Sequence, residues 1–204
     1  MRTKFKPWAV SYLKEHQEII LDDIEKHQNF FAKEIYIEIG SGKGDFILGM
    51  SRLYPDINFI AIEKVESVAG VMAKKIVDND IKNVLIYPGD IVNLFSSLKD
   101  KSIGKIFLNF SDPWPKKKHA KRRLTFIKFL NEYYRLLKDD GELIFKSDND
   151  GLYEFSLEEI KLSKFNLIDH TFDYIFDDKC DAMSEYEKKF REKGQKIHRF
   201  VLKK

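Results

Sequence analysis

The sequence predicts an α/β fold, a mostly parallel seven-stranded sheet with helices on both faces. Three observations lead there. Seven short runs rich in β-branched and aromatic residues recur along the chain. Segments with helical periodicity separate the first five of them, and strands alternating with helices of that length call for crossover connections. With 204 residues, 43% of them hydrophobic, the chain has ample apolar material for a core. Only ten Gly and five Pro, beside 34% charged residues, exclude a disordered or collagen-like chain.

Taken in order, the stretch from Trp8 to Phe31 alternates charge with Leu13, Ile19, Ile20, Leu21 and Ile24. It reads as one or two helices. Residues 1–33 are therefore expected as a helical extension and residues 34–204 as the core of a single domain. Strands are expected at 35–39, 57–62, 84–87, 106–110 and 142–146, with helices at 45–53, 67–79, 91–98 and 123–137. After Asp150 a helix at 153–162 and strands at 167–172 and 197–202 complete the set, with the charged stretch 177–194 as loop or short helix.

The same residues exclude several classes. No window approaches the roughly 18 uninterrupted apolar residues of a membrane span. The start, Met1-Arg-Thr-Lys-Phe-Lys-Pro-Trp8, has no apolar segment behind its basic residues, so no signal peptide is expected. Cys180 is the only cysteine, which rules out an internal disulfide or a thiolate zinc cage and fits a reducing cytosol. No pair among the five His has metal-ligand spacing, and no metal is expected. A net charge of +3 is too slight to imply nucleic acid by itself.

The first strand runs into Glu38-Ile-Gly40-Ser-Gly42-Lys-Gly44-Asp45, ahead of a helix. Gly40, Gly42 and Gly44 allow a tight turn and a close ligand approach. Glu63 ends the second strand 19 residues past Gly44, where doubly wound folds place a carboxylate on a ribose hydroxyl. A nicotinamide fingerprint, G-x-G-x-x-G, would need glycine at Asp45, and pyrophosphate favours a helix end without the acids Glu38 and Asp45. A cationic nucleoside without phosphate suits those acids better, and S-adenosylmethionine is one. Asp90 follows the third strand, either to accept the adenine amino group or to cap the helix at Ile91.

The fourth strand ends in Asn109-Phe-Ser-Asp112-Pro-Trp114-Pro115, a stiff turn that holds a carboxylate and an indole at the ligand-binding edge of the sheet. Lys116-Lys-Lys-His-Ala-Lys-Arg-Arg123 follows, six Lys or Arg in eight residues. Beside a nucleoside site, such a run meets the requirement for binding a phosphate backbone. Two rival classes fit less well. An amino-methylase turn matches only in part, because Trp114 follows a single Pro. A non-catalytic RNA-binding module has no need for acids at successive strand ends.

These motifs closely resemble the bacterial tRNA (guanine-N7)-methyltransferases, S-adenosylmethionine-dependent enzymes of the Rossmann-like class I fold. The resemblance runs from Pro7 to about Leu202, and its most specific element is Asn109 to Lys117 with the basic residues after it. It implies that Glu38, Gly40, Gly42, Gly44, Glu63, Asp90 and Asp112 contact the cofactor, with Asp112 also the catalytic residue. It implies substrate binding by Lys116, Asp148, Ser184, Glu185, Tyr186 and Glu187, with Asp148 or Glu187 accepting from the guanine edge. Lys118, His119, Ala120, Lys121, Arg122 and Arg123 match the RNA-interaction segment. The implied partner is tRNA, methylated at guanine 46 of the variable loop in the cytoplasm, with S-adenosylhomocysteine as product. Two residues depart from the family pattern. Ser111 stands where many members have Pro and is expected to loosen the turn slightly; Ser184 stands where Thr is usual and keeps the hydroxyl.

Overall fold

The computed structural model describes residues 5–204. The first four residues, part of the basic start read above, lie outside them. The chain gathers into two compact units. The first runs to Ser97 and takes in Asp177–Glu185; the second comprises Leu98–Phe176 and Tyr186–Lys204.

In the first unit the N-terminal segment forms helix α1 (Pro7–Glu15), two 3₁₀ turns at Gln17–Ile19 and Ile24–His27, and the short α2 (Gln28–Phe31). Pro7 opens α1 where its missing N–H is no loss. The break that periodicity left unplaced begins at His16, where α1 ends, and between the two 3₁₀ turns Leu21 N–H donates to Ile86 O at 2.8 Å. Strands β1 (Ile35–Ile39), β2 (Asn58–Ile62) and β3 (Val84–Tyr87) alternate with α3 (Asp45–Leu53) and α4 (Glu66–Asp78), and α5 (Ile91–Leu94) follows β3. Ile37 pairs with Ile60, and Ile60 with Leu85, both in parallel register. All five residues of β2 are buried, which is the burial of a parallel strand covered on both faces. Helix α1 lies close against α4: a Cβ on Gly70 would come within 1.9 Å of Ala9 O, so the crossing admits only glycine there.

The second unit holds β4 (Ile103–Asn109), α6 (Ile127–Leu136), β5 (Leu137–Ser147), α7 (Asp150–Lys161), β6 (Asn166–Thr171), α8 (Glu185–Glu192, entering at Tyr186) and β7 (His198–Lys203). β4 and β5 pair in parallel, whereas β7 runs antiparallel to both β5 and β6. The sheet is therefore mixed, with strand order β3-β2-β1-β4-β5-β7-β6. Phe145 and Phe200 stack across β5 and β7 with ring centroids 4.5 Å apart.

Two element starts are displaced by about four residues or more from the sequence reading, and the helix expected at 91–98 ends at Leu94. The helix expected from Arg123 starts at Ile127, because residues 117–122 form a 3₁₀ turn and the Ile127 N–H donates to Glu159 Oε2 at 2.6 Å. β5 begins at Leu137 rather than at residue 142. Leu137 pairs with Ile103 and Glu142 with Lys105, so the residues between them bulge around Gly141. A Cβ on Gly141 would stand 3.0 Å from Leu137 Cβ and from Lys138 N and O, a tight fit that favours glycine.

Candidate active site

In the first unit the site is built on the loop from β1 to α3. Gly40, Gly42 and Gly44 all have positive φ (84°, 55° and 83°), a region that L side chains avoid. A Cβ on Gly40 or Gly42 would meet nothing within 4 Å, so the bare backbone there faces open space. The turn is anchored from β2: Gly40 N–H and Ser41 N–H both donate to Ile62 O, at 2.8 and 3.0 Å. Glu63 completes the anchor. Its Oε2 accepts from Gly42 N–H at 3.0 Å and its Oε1 from Val65 N–H at 2.9 Å. Glu38 is buried on β1, and Ser41 Oγ donates to its carbonyl at 3.1 Å. Asp90 is exposed and caps α5 through Oδ1, which accepts from Val92 N–H at 3.0 Å. The capping alternative for Asp90 is thus observed, and its Oδ2 makes no hydrogen bond among the described residues. Asp45 is drawn to α4 by Lys75 at 2.7 Å.

Glu185 belongs to this unit as well. It bonds Lys43, inside the glycine turn, at 2.8 Å. Nothing in the sequence pointed to Lys43, because its partner lies 142 residues away.

In the second unit, the end of β4 carries the strained backbone. Phe110 and Trp114 have φ of 52° and 43°, left-handed values that are outliers for bulky side chains. Such residues cost on the order of 1–3 kcal/mol each and persist where their surroundings hold them. Trp114 is held from three sides. Arg122 lies over its ring at 4.9 Å, His119 meets it edge-on at 5.7 Å, and Arg123 grips its carbonyl at 3.1 Å. Asp112 between them is exposed, with no hydrogen bond or ion pair among the described residues. The neighbouring Ser111 Oγ is buried without a hydrogen-bond partner among the described residues.

Lys116, Lys117, Lys118, Lys121 and Arg122 are exposed, and none pairs with an acid among the described residues. Ala120 sits half-buried within the same 3₁₀ turn. Arg123 differs from its neighbours. It is half-buried and directed into the protein.

At the end of β5, Asp148 is half-buried and its carboxylate has no partner among the described residues. Asn149 caps α7 by accepting from Leu152 N–H at 2.8 Å. Segment 184–187, expected at the substrate, sends its side chains to separate places. Ser184 is half-buried and Tyr186 exposed, while Glu185 is taken by Lys43. Glu187 is 0% exposed: Oε2 accepts from Lys146 Nζ and Oε1 from Arg191 Nη2, both at 2.8 Å. The expectation that its carboxylate accepts from a guanine edge does not match this placement, since both oxygens are turned inward to cations. Asp148 is the acid of that pair whose carboxylate is open.

An anchored glycine turn of bare backbone, with the acids Glu38, Glu63 and Asp90 on or just after β1, β2 and β3, is the feature the first unit offers for a ligand. Solved structures agree on the fold. One titled "Structure of an Antibiotic Related Methyltransferase" superposes with TM-score 0.65 at 16% identity, covering 89% of this chain and 94% of its own. A SAM-dependent methyltransferase from Aquifex aeolicus superposes with TM-score 0.56 at 17% identity over 98% of both chains. A family model described as "Putative methyltransferase" matches residues 32–200. A tRNA (guanine-N(7)-)-methyltransferase of Staphylococcus epidermidis is 45% identical, with 100% of this chain and 97% of that protein aligned. One from Limosilactobacillus reuteri is 41% identical over 98% of each chain. The chain belongs to the family of bacterial tRNA (guanine-N(7)-)-methyltransferases.

Proposed function

We propose that this chain transfers the methyl group of S-adenosylmethionine to N7 of a guanine in tRNA, at position 46 of the variable loop. The observation that carries the reading is the end of β4, where an open carboxylate on a strained turn adjoins five exposed cations, none paired with an acid among the described residues. That pairing suits a reaction that moves positive charge within a polyanionic substrate. The names of the relatives at 40–45% identity point to the same reaction.

The residues of the glycine turn fit the cofactor. Bare backbone at Gly40 and Gly42 leaves room for a nucleoside, and the acids Glu38, Glu63 and Asp90 suit its hydroxyls, amino groups and cationic sulfur. When bound, S-adenosylmethionine supplies an electrophilic methyl group on a sulfonium. Guanine N7 carries an in-plane lone pair and no proton at neutral pH, so attack needs no general base. The protein's task is alignment, which can contribute roughly 7–11 kcal/mol. Asp112 stabilises the positive charge as it passes to the purine. Asp148 accepts from guanine N1–H and the amino group, a donor pair that adenine lacks. Lys116 meets a phosphate or the base O6, and Ser184, Glu185 and Tyr186 are read as substrate-binding residues.

The reading takes residues 1–204 as one methyltransferase domain acting in the cytoplasm. No helix among the described residues is long and apolar enough to cross a membrane. Incubating the protein with total tRNA and labelled cofactor, then mapping N7-methylguanosine, tests the proposal. Label on an exocyclic amine after digestion to nucleosides would sink it.

A further inference from the structure

We infer that Arg123, which the family resemblance groups with the RNA-facing residues, is a positioning residue for the turn that carries Asp112. Its guanidinium donates from Nε to Pro113 O at 2.9 Å and from Nη2 to Trp114 O at 3.1 Å. Those two carbonyls bracket Trp114, the residue with φ of 43°. A left-handed tryptophan relaxes unless its peptide groups are held on both sides, and one planar fork holds both. The cation also stacks on Phe155 of α7, 4.2 Å from the ring centroid, which ties the turn to a helix of the second unit.

The five neighbouring cations show the contrast. They are exposed, whereas Arg123 is half-buried with two of its donors spent on backbone. Lysine in this place would keep the charge and lose the fork, because an ammonium is a point donor on a flexible stem. Charge at residue 123 is therefore secondary, and its geometry sets where the Asp112 carboxylate and Trp114 indole lie. The inference rests on the reading of Asp112 as the carboxylate beside the migrating methyl.

The test measures kcat, KM for tRNA, affinity for S-adenosylhomocysteine and the salt dependence of tRNA binding in four variants. Arg123→Lys and Arg123→Gln are each expected to lose about 100-fold in kcat, the scale of a misplacement by about 1 Å. Their salt slope and S-adenosylhomocysteine affinity stay at wild-type values. Lys118→Gln, within the RNA-interaction segment, is expected to show the contrasting binding effect, flattening the log–log salt slope by roughly 0.7–0.9. Full kcat in Arg123→Lys, or a flattened slope in Arg123→Gln, overturns the assignment. Asp112→Asn, the fourth variant, separates the two readings: wild-type kcat there overturns the charge role of Asp112 and leaves the Arg123 result to be judged alone. Should both Arg123 variants fail to fold, Phe155→Leu keeps the two hydrogen bonds and removes the stacking platform. A several-fold loss of kcat with an unchanged salt slope is then expected, and wild-type kcat in that variant overturns the proposal.

Discussion

Glu63 holds Gly42: the carboxylate that ends β2 accepts the backbone N–H at the middle of the turn after β1, at 3.0 Å. The acid thus shapes the loop on which a nucleoside would rest. Two backbone donors occupy one lone pair on each oxygen, and a carboxylate offers about four acceptor sites, so ribose hydroxyls can still be received.

Replacing Glu63 with Ala should weaken S-adenosylhomocysteine binding by about 10- to 150-fold, the loss of one charge-assisted hydrogen bond at about 1.5–3 kcal/mol. Binding of tRNA should change far less. Calorimetry reads both. A folded variant with unaltered cofactor affinity would remove Glu63 from the site.

A second expectation concerns the contact between α1 and α4. Gly70→Ala places a methyl carbon within 1.9 Å of Ala9 O, and a backbone carbonyl cannot swing away as a side-chain tip can. Overpacking of this kind costs about 1–3 kcal/mol. Thermal unfolding should shift down by roughly 2–12 °C for a chain of this size. An unchanged melting temperature would mean that α1 lifts off α4 without loss.

Lys146 and Glu187 form a pair that is 1% and 0% exposed, 2.8 Å apart. Removing one partner of a buried pair leaves an uncompensated charge and typically costs about 3–5 kcal/mol. Glu187→Leu alone should therefore destabilise strongly, because it strands buried Lys146, whereas Lys146→Met leaves Glu187 its bond from Arg191 at 2.8 Å and should cost less. The double variant should recover much of the loss, and a double-mutant cycle measures that coupling. Additive losses would show that the two charges are stabilised separately.

Much of the fold was legible because its signals are local. β1 and β3 match the β-branched runs at 35–39 and 84–87 residue for residue, since a short apolar run and the turn residues that close it are written in consecutive positions. The start of β5 was not legible, because the bulge around Gly141 depends on the partner strand β4. The site divides along the same line. Gly40, Gly42, Gly44 and the strand-end acids announce themselves by spacing. The bonds from Lys43 to Glu185 and from Lys146 to Glu187 span 142 and 41 residues, and spacing carries no trace of them. Arg123 looks like one more cation in a run; only its carbonyl partners distinguish it.

Asp112→Asn retains the shape of the side chain and deletes its charge. With the residue exposed until substrate covers it, the electrostatic effect develops only in the ternary complex. A fall in kcat of at least about tenfold, or ~1.4 kcal/mol, is expected. Affinity for tRNA should hold or rise slightly, since a carboxylate near phosphates repels them. Single-turnover kinetics would isolate the step, and a fully active variant would leave alignment alone to explain the rate.

The basic turn should behave in the opposite way. Lys117, Lys118 and Lys121 are exposed, unpaired with acids among the described residues, and free of the ring contact that ties Arg122 to Trp114. Changing all three to Gln removes charge without disturbing the turn beneath them. If each neutralises one phosphate, the log–log salt slope of tRNA binding should flatten by roughly 2–3 units in total. Affinity at low salt should fall most, because released counterions drive binding there. Turnover at saturating tRNA should survive, since none of the three reaches the reacting atoms in this reading. A salt titration of tRNA binding decides the matter: an unaltered slope would reduce these lysines to an ordinary solvated surface, and a loss of kcat at saturation would draw them into the chemical step.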